Sequence, residues 1–339
     1  MASIDIVIPC HRYGRYLREC VHSVLTQGLA DLRVLIIDDA SPDETPEVGA
    51  ALAREDARVR YRRHAVNCGH IGTFNEGVWW TSADYMLLLS ADDYLLPGAL
   101  QRAVQLMDAH PEVGLCFGEA LALHESGATR PIQVDLDTGG APSIVVSGTD
   151  FVRLCARTGA SNVVPSPTAV VKTNLLKRLG GYRTDLPHTG DLELWLRLAA
   201  HAPVGILKVD QAVYRRHARN MSSAYFEDNG LADMQQRKAA FDVFLHTCRD
   251  ILPGVELLHR ELLRPLAREA VGHASSAFNN QRMELSNRLC DFAVSVHPGV
   301  RHSAAWRALA CKRLMGPDMS SVLRPAVTRI RTAASRIRG

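Results

Sequence analysis

The chain has 339 residues, 47% of them hydrophobic and 22% charged, which is enough apolar material for two domains or for one large domain with an appendage. Its formal net charge of +3 is too small to indicate a nucleic-acid partner. The eight cysteines are scattered with no C-x-x-C pair, which argues against a zinc cluster and favours reduced thiols over a disulfide framework.

The first third of the chain alternates strand-like and helix-like segments. Short apolar or β-branched runs predict strands, and apolar residues at helical spacing predict the helices between them. Strands are expected over 4–9, 32–37, 59–63, 85–89 and 113–117, and helices over 16–26, 47–56, 75–81 and 98–109. This alternation is typical of an α/β protein whose parallel sheet is covered by helices on both faces.

Beyond the first third of the chain, the regular alternation of strand-like and helix-like segments ends. The segment 125–148 is rich in Gly, Pro, Ser and Thr and has no clear period, so it is either a mobile insertion or a pair of edge strands. A helix is expected to begin at Asp191. After residue 228 the sequence is helical throughout, with breaks at prolines. We therefore predict a domain boundary near residue 228.

Two features of the sequence bear on where in the cell the protein is expected. The N-terminal segment lacks the basic start of a signal peptide, and no stretch reaches the ~20 apolar residues of a membrane span, so a cytoplasmic protein is expected. The tail 325–339 is basic with apolar residues interleaved. It is either an amphipathic helix at the inner face of the membrane or a solvated tail. The helical region could equally serve as a homodimer surface.

Three predicted strands end in polar residues, and ligands of open parallel sheets bind beyond such strand ends. The first strand is followed by His11, the second by Asp38 and Asp39, and the strand over 85–89 by Asp92 and Asp93. Paired carboxylates repel each other unless a cation such as Mg²⁺ or Mn²⁺ compensates them. Helix capping and turn formation are the structural alternatives for these acids.

Four segments in sequence order resemble the large family-two group of inverting glycosyltransferases: VIPCHRYGRYLRECVHSVLTQ, IIDDASPDET, NCGHIGTFNEG and LLLSADDYLLPGAL. The resemblance covers roughly the first two thirds of the chain. It implies a GT-A type nucleotide-binding domain with a central, mostly parallel sheet over 1–228, followed by an all-helical region over 229–339. It also implies transfer of a sugar from a UDP- or dTDP-sugar to a hydroxyl of a glycan, glycolipid or protein, in cell-surface polysaccharide biosynthesis.

The resemblance implies roles for individual residues around the nucleotide. Pro9 and His11 would flank the nucleoside, Asp39 would hold the base, and Asn75 would face the nucleotide. Ala91 belongs to the same nucleotide-binding set.

The acid pair would handle the diphosphate end of the donor. Asp92 would contact the ribose or metal-bound phosphates, and Asp93 would bind the metal, Mn²⁺ or Mg²⁺. Ser90 stands where the family often has a further Asp, which leaves open which of the two acids is the main metal ligand.

A later segment of the chain would form the acceptor side of the active site. The run HTGDLELW resembles the family segment with the catalytic base, which makes Asp191 the base. A carboxylate on the acceptor side can take the hydroxyl proton as the new bond forms. The start of a helix favours its ionised form, but the same position fits a simple helix cap. Glu193 is the weaker candidate because it points away on the helix.

A basic segment, YRRHARNMS, resembles the family's Arg-x-His segment. By that match His217 would complete the metal shell or touch the diphosphate, and Arg215 and Arg216 would bind the diphosphate. A solvated basic loop is the alternative.

Two other functions compete. A sugar nucleotidyltransferase would have a Gly-rich loop after the first strand, whereas CHRYGRY has one Gly; an oxidoreductase would need G-x-G-x-x-G there. A non-catalytic nucleotide-sugar-binding or scaffold protein would tolerate loss of Asp93 or Asp191, and both are present.

Overall fold

A computed structural model of the chain describes residues 2–218 and 220–316. Its N-terminal part alternates strands and helices as the apolar periodicity predicted. These elements are β1 (Ile4–Cys10), α1 (Gly14–Leu25), β2 (Leu32–Asp38), α2 (Thr45–Glu55), β3 (Val59–Arg63), α3 (His70–Trp80), β4 (Tyr85–Leu88), β5 (Tyr94–Leu95) and α4 (Ala99–Ala109).

The middle of the chain adds more strands than the sequence analysis predicted. Its elements are β6 (Leu115–His124), β7 (Thr129–Ile132), β8 (Ser143–Val146), α5 (Gly148–Arg157), β9 (Val170–Lys172), α6 (Thr173–Arg178), α7 (Gly190–His201) and β10 (Val204–Arg216). The irregular segment 125–148 supplies β7 and β8, which pair with β6 and β10. Of its two interpretations, the pair of strands is therefore confirmed.

One sheet organises this part of the molecule, in the order β3-β2-β1-β4-β9-β6-β10-β5. The first four strands are parallel, and β9 runs antiparallel between β4 and β6. The predicted α/β fold with a mostly parallel central sheet is confirmed. Strands β1 and β2 are apolar on both faces because helices cover both sides. On one side α3 comes so close that a Cβ on Gly77 would lie 2.2 Å from Val7 Cγ1.

Helices alone follow, as expected: α8 (Leu231–Cys248), α9 (Val255–Asn279), α10 (Met283–Val296) and α11 (Ala304–Met315). Pro253 and Pro298 fall at two of the breaks. The turn between α9 and α10 has no proline and uses Gln281, whose φ is 60°. The buried faces of α8 and α9 join the hydrophobic cluster that contains α5 and α7, so these helices pack directly on the α/β part.

None of the described helices combines the length and the apolarity that crossing a bilayer demands. The basic tail 325–339 lies outside the described residues.

Candidate active site

A cleft of about 1000 Å³ opens beyond the carboxyl end of β4. Acidic side chains from distant parts of the chain meet on its walls. Asp92 and Asp93 follow β4, Asp191 lies in the first turn of α7, and Asp233 and Glu269 come from α8 and α9. The cleft is therefore built jointly by the sheet and the C-terminal helices.

The acid pair lies almost wholly inside the protein, with Asp92 5% and Asp93 1% exposed. Asp92 Oδ2 is 3.1 Å from His217 Nε2, and Asp93 Oδ1 accepts the Arg215 backbone N–H at 2.9 Å. Burial raises the pKa of Asp92. Burial and then the Asp92 charge hold the pKa of Asp93 well above its usual value. A cation would relieve both costs.

The ligand chemistry of these side chains suits the divalent metal that the resemblance implies. Asp92 and Asp93 offer oxygen ligands, as Mn²⁺ and Mg²⁺ prefer, and His217 offers a ring nitrogen beside them. The His217 ring lies against Tyr13 and Tyr16, with centroid distances of 5.5 and 6.0 Å. These aromatic contacts hold the imidazole next to the acid pair.

The two arginines predicted at the diphosphate have different surroundings. Arg215 donates from Nη1 to the Asp92 carbonyl and pairs with Glu19 Oε2, both at 2.5 Å. Its guanidinium also lies over Tyr16 and Tyr94. Arg215 thus braces the turn that carries the acid pair. Arg216 lines the cleft.

Asp39 and His11 meet at the ends of β1 and β2, as the strand-end argument predicted. His11 Nδ1 is 2.8 Å from the Asp39 carbonyl oxygen. The Asp39 carboxylate accepts hydrogen bonds of 2.7 Å from Cys68 N–H and from His64 Nδ1. Burial alone would raise the pKa of Asp39, but these bonds outweigh burial and lower it. Asp39 is therefore held in its ionised form.

Sequence analysis missed His64, whose second ring nitrogen lies 2.7 Å from Glu76 Oε2. Because His64 directly follows β3, the strand-end argument applied to that strand would have found it. One ligand atom each from Asp39, His64 and Cys68 lies within 4.8 Å of the others. In this set the imidazole already bridges two carboxylates, so a metal there would have to break those hydrogen bonds.

Asn75 forms hydrogen bonds within the protein. Its Nδ2 donates to the Tyr182 carbonyl and its Oδ1 accepts the Tyr182 N–H, both at 2.8 Å. The amide therefore joins α3 to the loop before α7, and Asn75 is not among the residues that line the cleft. The backbone of Tyr182 takes up both ends of the amide, and contact of Asn75 with a nucleotide stays a prediction.

The remaining two residues of the predicted nucleotide set lie at strand ends. Pro9 is half-buried near the end of β1. Ala91 is fully buried, and its methyl group packs in the core beneath the acid pair. Any contact of Ala91 with a nucleotide would therefore involve its backbone.

Asp191 is fixed by donors on both oxygens. Oδ2 accepts from Asn162 Nδ2 at 2.8 Å and Ser166 Oγ at 3.0 Å, and Oδ1 accepts from Leu192 N–H at 2.7 Å. The N-cap of α7 is Thr189, so Asp191 is not the helix cap. Burial outweighs the bonds from Leu192 and Ser166 and raises the pKa of Asp191. A raised pKa makes this carboxylate a better proton acceptor.

The two side chains that donate hydrogen bonds to Asp191, Asn162 and Ser166, were not predicted from the sequence, because both lie in the connection between α5 and β9. Glu193 is fully buried and forms a bidentate pair with Arg197, with two contacts of 2.9 Å. This pairing removes Glu193 as an alternative base.

A chain of polar side chains connects the C-terminal helices to the segment before Asp191. His188 Nε2 is 2.8 Å from Asp233 Oδ1, and Asp233 Oδ2 accepts from Arg237 Nε at 2.8 Å. Arg237 continues the chain to Glu269 at 2.7 Å. The ring of Tyr225 stacks on His188 with centroids 3.9 Å apart. The segment just before Asp191 is thus anchored to α8 and α9.

Known proteins resemble both the sequence and the fold. The model for glycosyl transferase family 2 matches residues 5–131, which confirms the resemblance of the four sequence segments. The uncharacterized glycosyltransferase EpsJ of Bacillus subtilis is 28% identical over 102 residues, or 30% of this chain and 29% of EpsJ. The match thus spans less than a third of that relative. Asp191 lies beyond the residues that the family model matches.

Two solved structures share the fold over most of the chain. S. aureus TarS in complex with UDP-GlcNAc has a TM-score of 0.58 at 16% identity, covering 88% of this chain and 92% of that one. The mannosyltransferase PcManGT from Pyrobaculum calidifontis, in complex with GDP-Man and Mn²⁺, has a TM-score of 0.51 at 15% identity. That similarity covers 97% of this chain and 86% of PcManGT.

Proposed function

We propose that this chain, which belongs to glycosyl transferase family 2 through residues 5–131, is an inverting, metal-dependent glycosyltransferase that uses a nucleoside-diphosphate sugar. One observation carries the proposal. The buried acid pair Asp92 and Asp93 and the separate carboxylate Asp191 line the same cleft, although they lie far apart in the chain. In such a cleft, one set of carboxylates can serve the leaving diphosphate and another can serve the attacking hydroxyl.

The donor is a UDP- or dTDP-sugar. Asp39 is held ionised by His64 and the Cys68 N–H, and an ionised carboxylate can accept the ring N–H of uracil or thymine. His11 packs beside it, where it would flank the nucleoside. The complexes of TarS with UDP-GlcNAc and of PcManGT with GDP-Man support a nucleotide-sugar donor in general.

Asp92, Asp93 and His217 would hold Mn²⁺ or Mg²⁺. When bound, the ion supplies positive charge for the oxygens of the departing diphosphate. Arg216 lines the same cleft and would add a second cationic contact to the phosphates. Arg215 positions the acid pair through the Asp92 carbonyl and its own backbone N–H.

Asp191 is the catalytic base. An acceptor oxygen attacks the anomeric carbon from the face opposite the diphosphate, and its proton passes to the Asp191 carboxylate. The bond from the anomeric carbon to the acceptor oxygen forms while the bond to the diphosphate oxygen breaks, and the nucleoside diphosphate leaves with the electron pair. Asn162 and Ser166 hold the carboxylate still during this transfer.

The family resemblance supports an acceptor that is a glycan, a lipid-linked glycan or a protein, and a role in cell-surface polysaccharide biosynthesis. We place the reaction on the cytoplasmic side of the membrane. Peripheral contact through the tail 325–339 and a homodimer stay predictions.

Asp191→Asn tests the central assignment. A thermal-shift screen against UDP- and dTDP-sugars with Mn²⁺ first identifies the donor, because a bound ligand raises the melting temperature. Release of nucleoside diphosphate is then measured with and without acceptor. We expect Asp191→Asn to keep donor affinity and to lose about 10²- to 10⁴-fold in transfer. Unchanged transfer would refute the base assignment, and a wild-type protein that releases no nucleoside diphosphate would be a binding protein.

A further inference from the structure

An aromatic surface lies at the mouth of the cleft, in the short helical segment Met221–Phe226 between β10 and α8. Phe226 is 55% exposed and Met221 61% exposed, although both line the cleft. Large apolar side chains left in water beside polar groups are typical of a surface that a ligand covers. Nothing in the chemistry described above uses them.

This surface is held at a fixed place relative to the base. The Tyr225 ring stacks on His188 at 3.9 Å, and the Phe226 ring meets His188 edge-on at 6.0 Å. His188 is in turn bound to Asp233. Because His188, Phe226 and Asp191 all line the cleft, a ligand on the aromatic surface would occupy the same cavity that the carboxylate faces.

The surroundings of the aromatic rings indicate the ligand class. Arg216 and Asp233 line the same cleft as Phe226, so the cleft offers both apolar and hydrogen-bonding groups. A pyranose ring matches such a cleft, since it has an apolar C–H face and a rim of hydroxyls. A polyprenyl chain would instead be expected along a continuous apolar groove.

We propose that Phe226, anchored through Tyr225 and His188, is the stacking platform for the terminal sugar of a glycan acceptor. The inference rests on the proposed glycosyltransferase function. It narrows the acceptor from any hydroxyl compound to a carbohydrate whose ring face covers Phe226 while one of its hydroxyls reaches Asp191.

The test uses the full chain, the donor found by thermal shift, and a panel of para-nitrophenyl glycosides as acceptors. Phe226→Ala should raise the acceptor KM about five- to tenfold, a size typical of aromatic stacking, with a smaller change in kcat. Phe226→Tyr should restore the acceptor KM. Trp79→Ala is the matched control, because Trp79 is 57% exposed and does not line the cleft. In this variant the KM for the donor and the KM for the acceptor should both stay as in the wild type.

Two results would overturn the proposal. One is an acceptor KM that does not change in Phe226→Ala. The other is a wild-type protein that glycosylates farnesyl phosphate but none of the glycosides. Failure of the glycosyltransferase function itself looks different, because the wild type would then release no nucleoside diphosphate from any donor.

Discussion

Two side chains from the loop between α5 and β9 hold the Asp191 carboxylate, and their removal makes a sharp test of the catalytic base. Asn162 Nδ2 and Ser166 Oγ both donate to Asp191 Oδ2. The Ser166 bond favours the charged carboxylate and opposes the burial that raises the pKa of Asp191. We expect the Asn162 bond to act in the same direction. Asn162→Ala and Ser166→Ala should therefore raise the pKa of Asp191 further and leave its orientation looser.

The size of the expected loss of activity depends on how exposed each hydrogen-bonding side chain is. A hydrogen bond to a charged group is worth about 1.5–3 kcal/mol, but water can replace part of the bond from the exposed Asn162. We expect a loss of about 1 kcal/mol for Asn162→Ala, or about fivefold in kcat/KM, and about tenfold for the half-buried Ser166. Because both donors share one oxygen, the double variant should fall short of the product of the two losses.

The assay is kcat/KM as a function of pH. The base must be deprotonated to accept a proton, so activity falls as the pH drops through the pKa of Asp191. In the variants this acid limb should move to higher pH, so that the loss is largest in acid and smaller in alkali. Ser161→Ala is the control, since the Ser161 hydroxyl donates to the Thr158 carbonyl instead. A double variant with the wild-type pH profile would refute the reasoning.

Three further predictions follow from contacts in and around the cleft. Asp93→Ala should weaken nucleotide binding in Mn²⁺ but not in EDTA, as measured by calorimetry, because the acid pair would hold the metal. Arg197→Met leaves the buried Glu193 without a counter-charge, at a cost of about 3–5 kcal/mol, and should lower the melting temperature by about 4–7 °C. Asn75→Ala removes both hydrogen bonds to Tyr182 and should destabilise the protein by about 2 kcal/mol while nucleotide affinity stays constant.

Each of these three has a result that contradicts it. Equal nucleotide affinity of Asp93→Ala and wild type in Mn²⁺ would remove Asp93 from the metal site. If the melting temperature of Arg197→Met stays within about 1 °C of the wild-type value, Glu193 must find another partner or take up a proton. Weaker nucleotide binding in Asn75→Ala would return Asn75 to the nucleotide site.

The sequence predicts the long elements and the acids at strand ends, because both depend on local patterns. The runs over 4–9 and 32–37 became β1 and β2 with nearly the same bounds. The strand β9 was missed because its three residues carry no period, and only its antiparallel pairing with β4 and β6 defines it.

The contacts at the site that the sequence did not predict have a related cause. The hydrogen bonds between Asn75 and Tyr182 were not predicted because the two residues are 107 positions apart in the chain. Asn162 and Ser166 were missed because no short motif relates them to Asp191. Contacts between distant loops arise from tertiary packing, which the periodicity of one segment does not encode.

The polar chain from His188 to Glu269 has a consequence for shortening the protein. A truncation after residue 228 would respect the apparent change in composition, but it would remove Asp233, Arg237 and Glu269 together. The truncated protein would keep Asp39 and the acid pair and lose the wall that steadies the turn before Asp191. Under the proposed function, replacing the C-terminal helices would therefore alter the surroundings of Asp191 while the residues assigned to the donor stay unchanged.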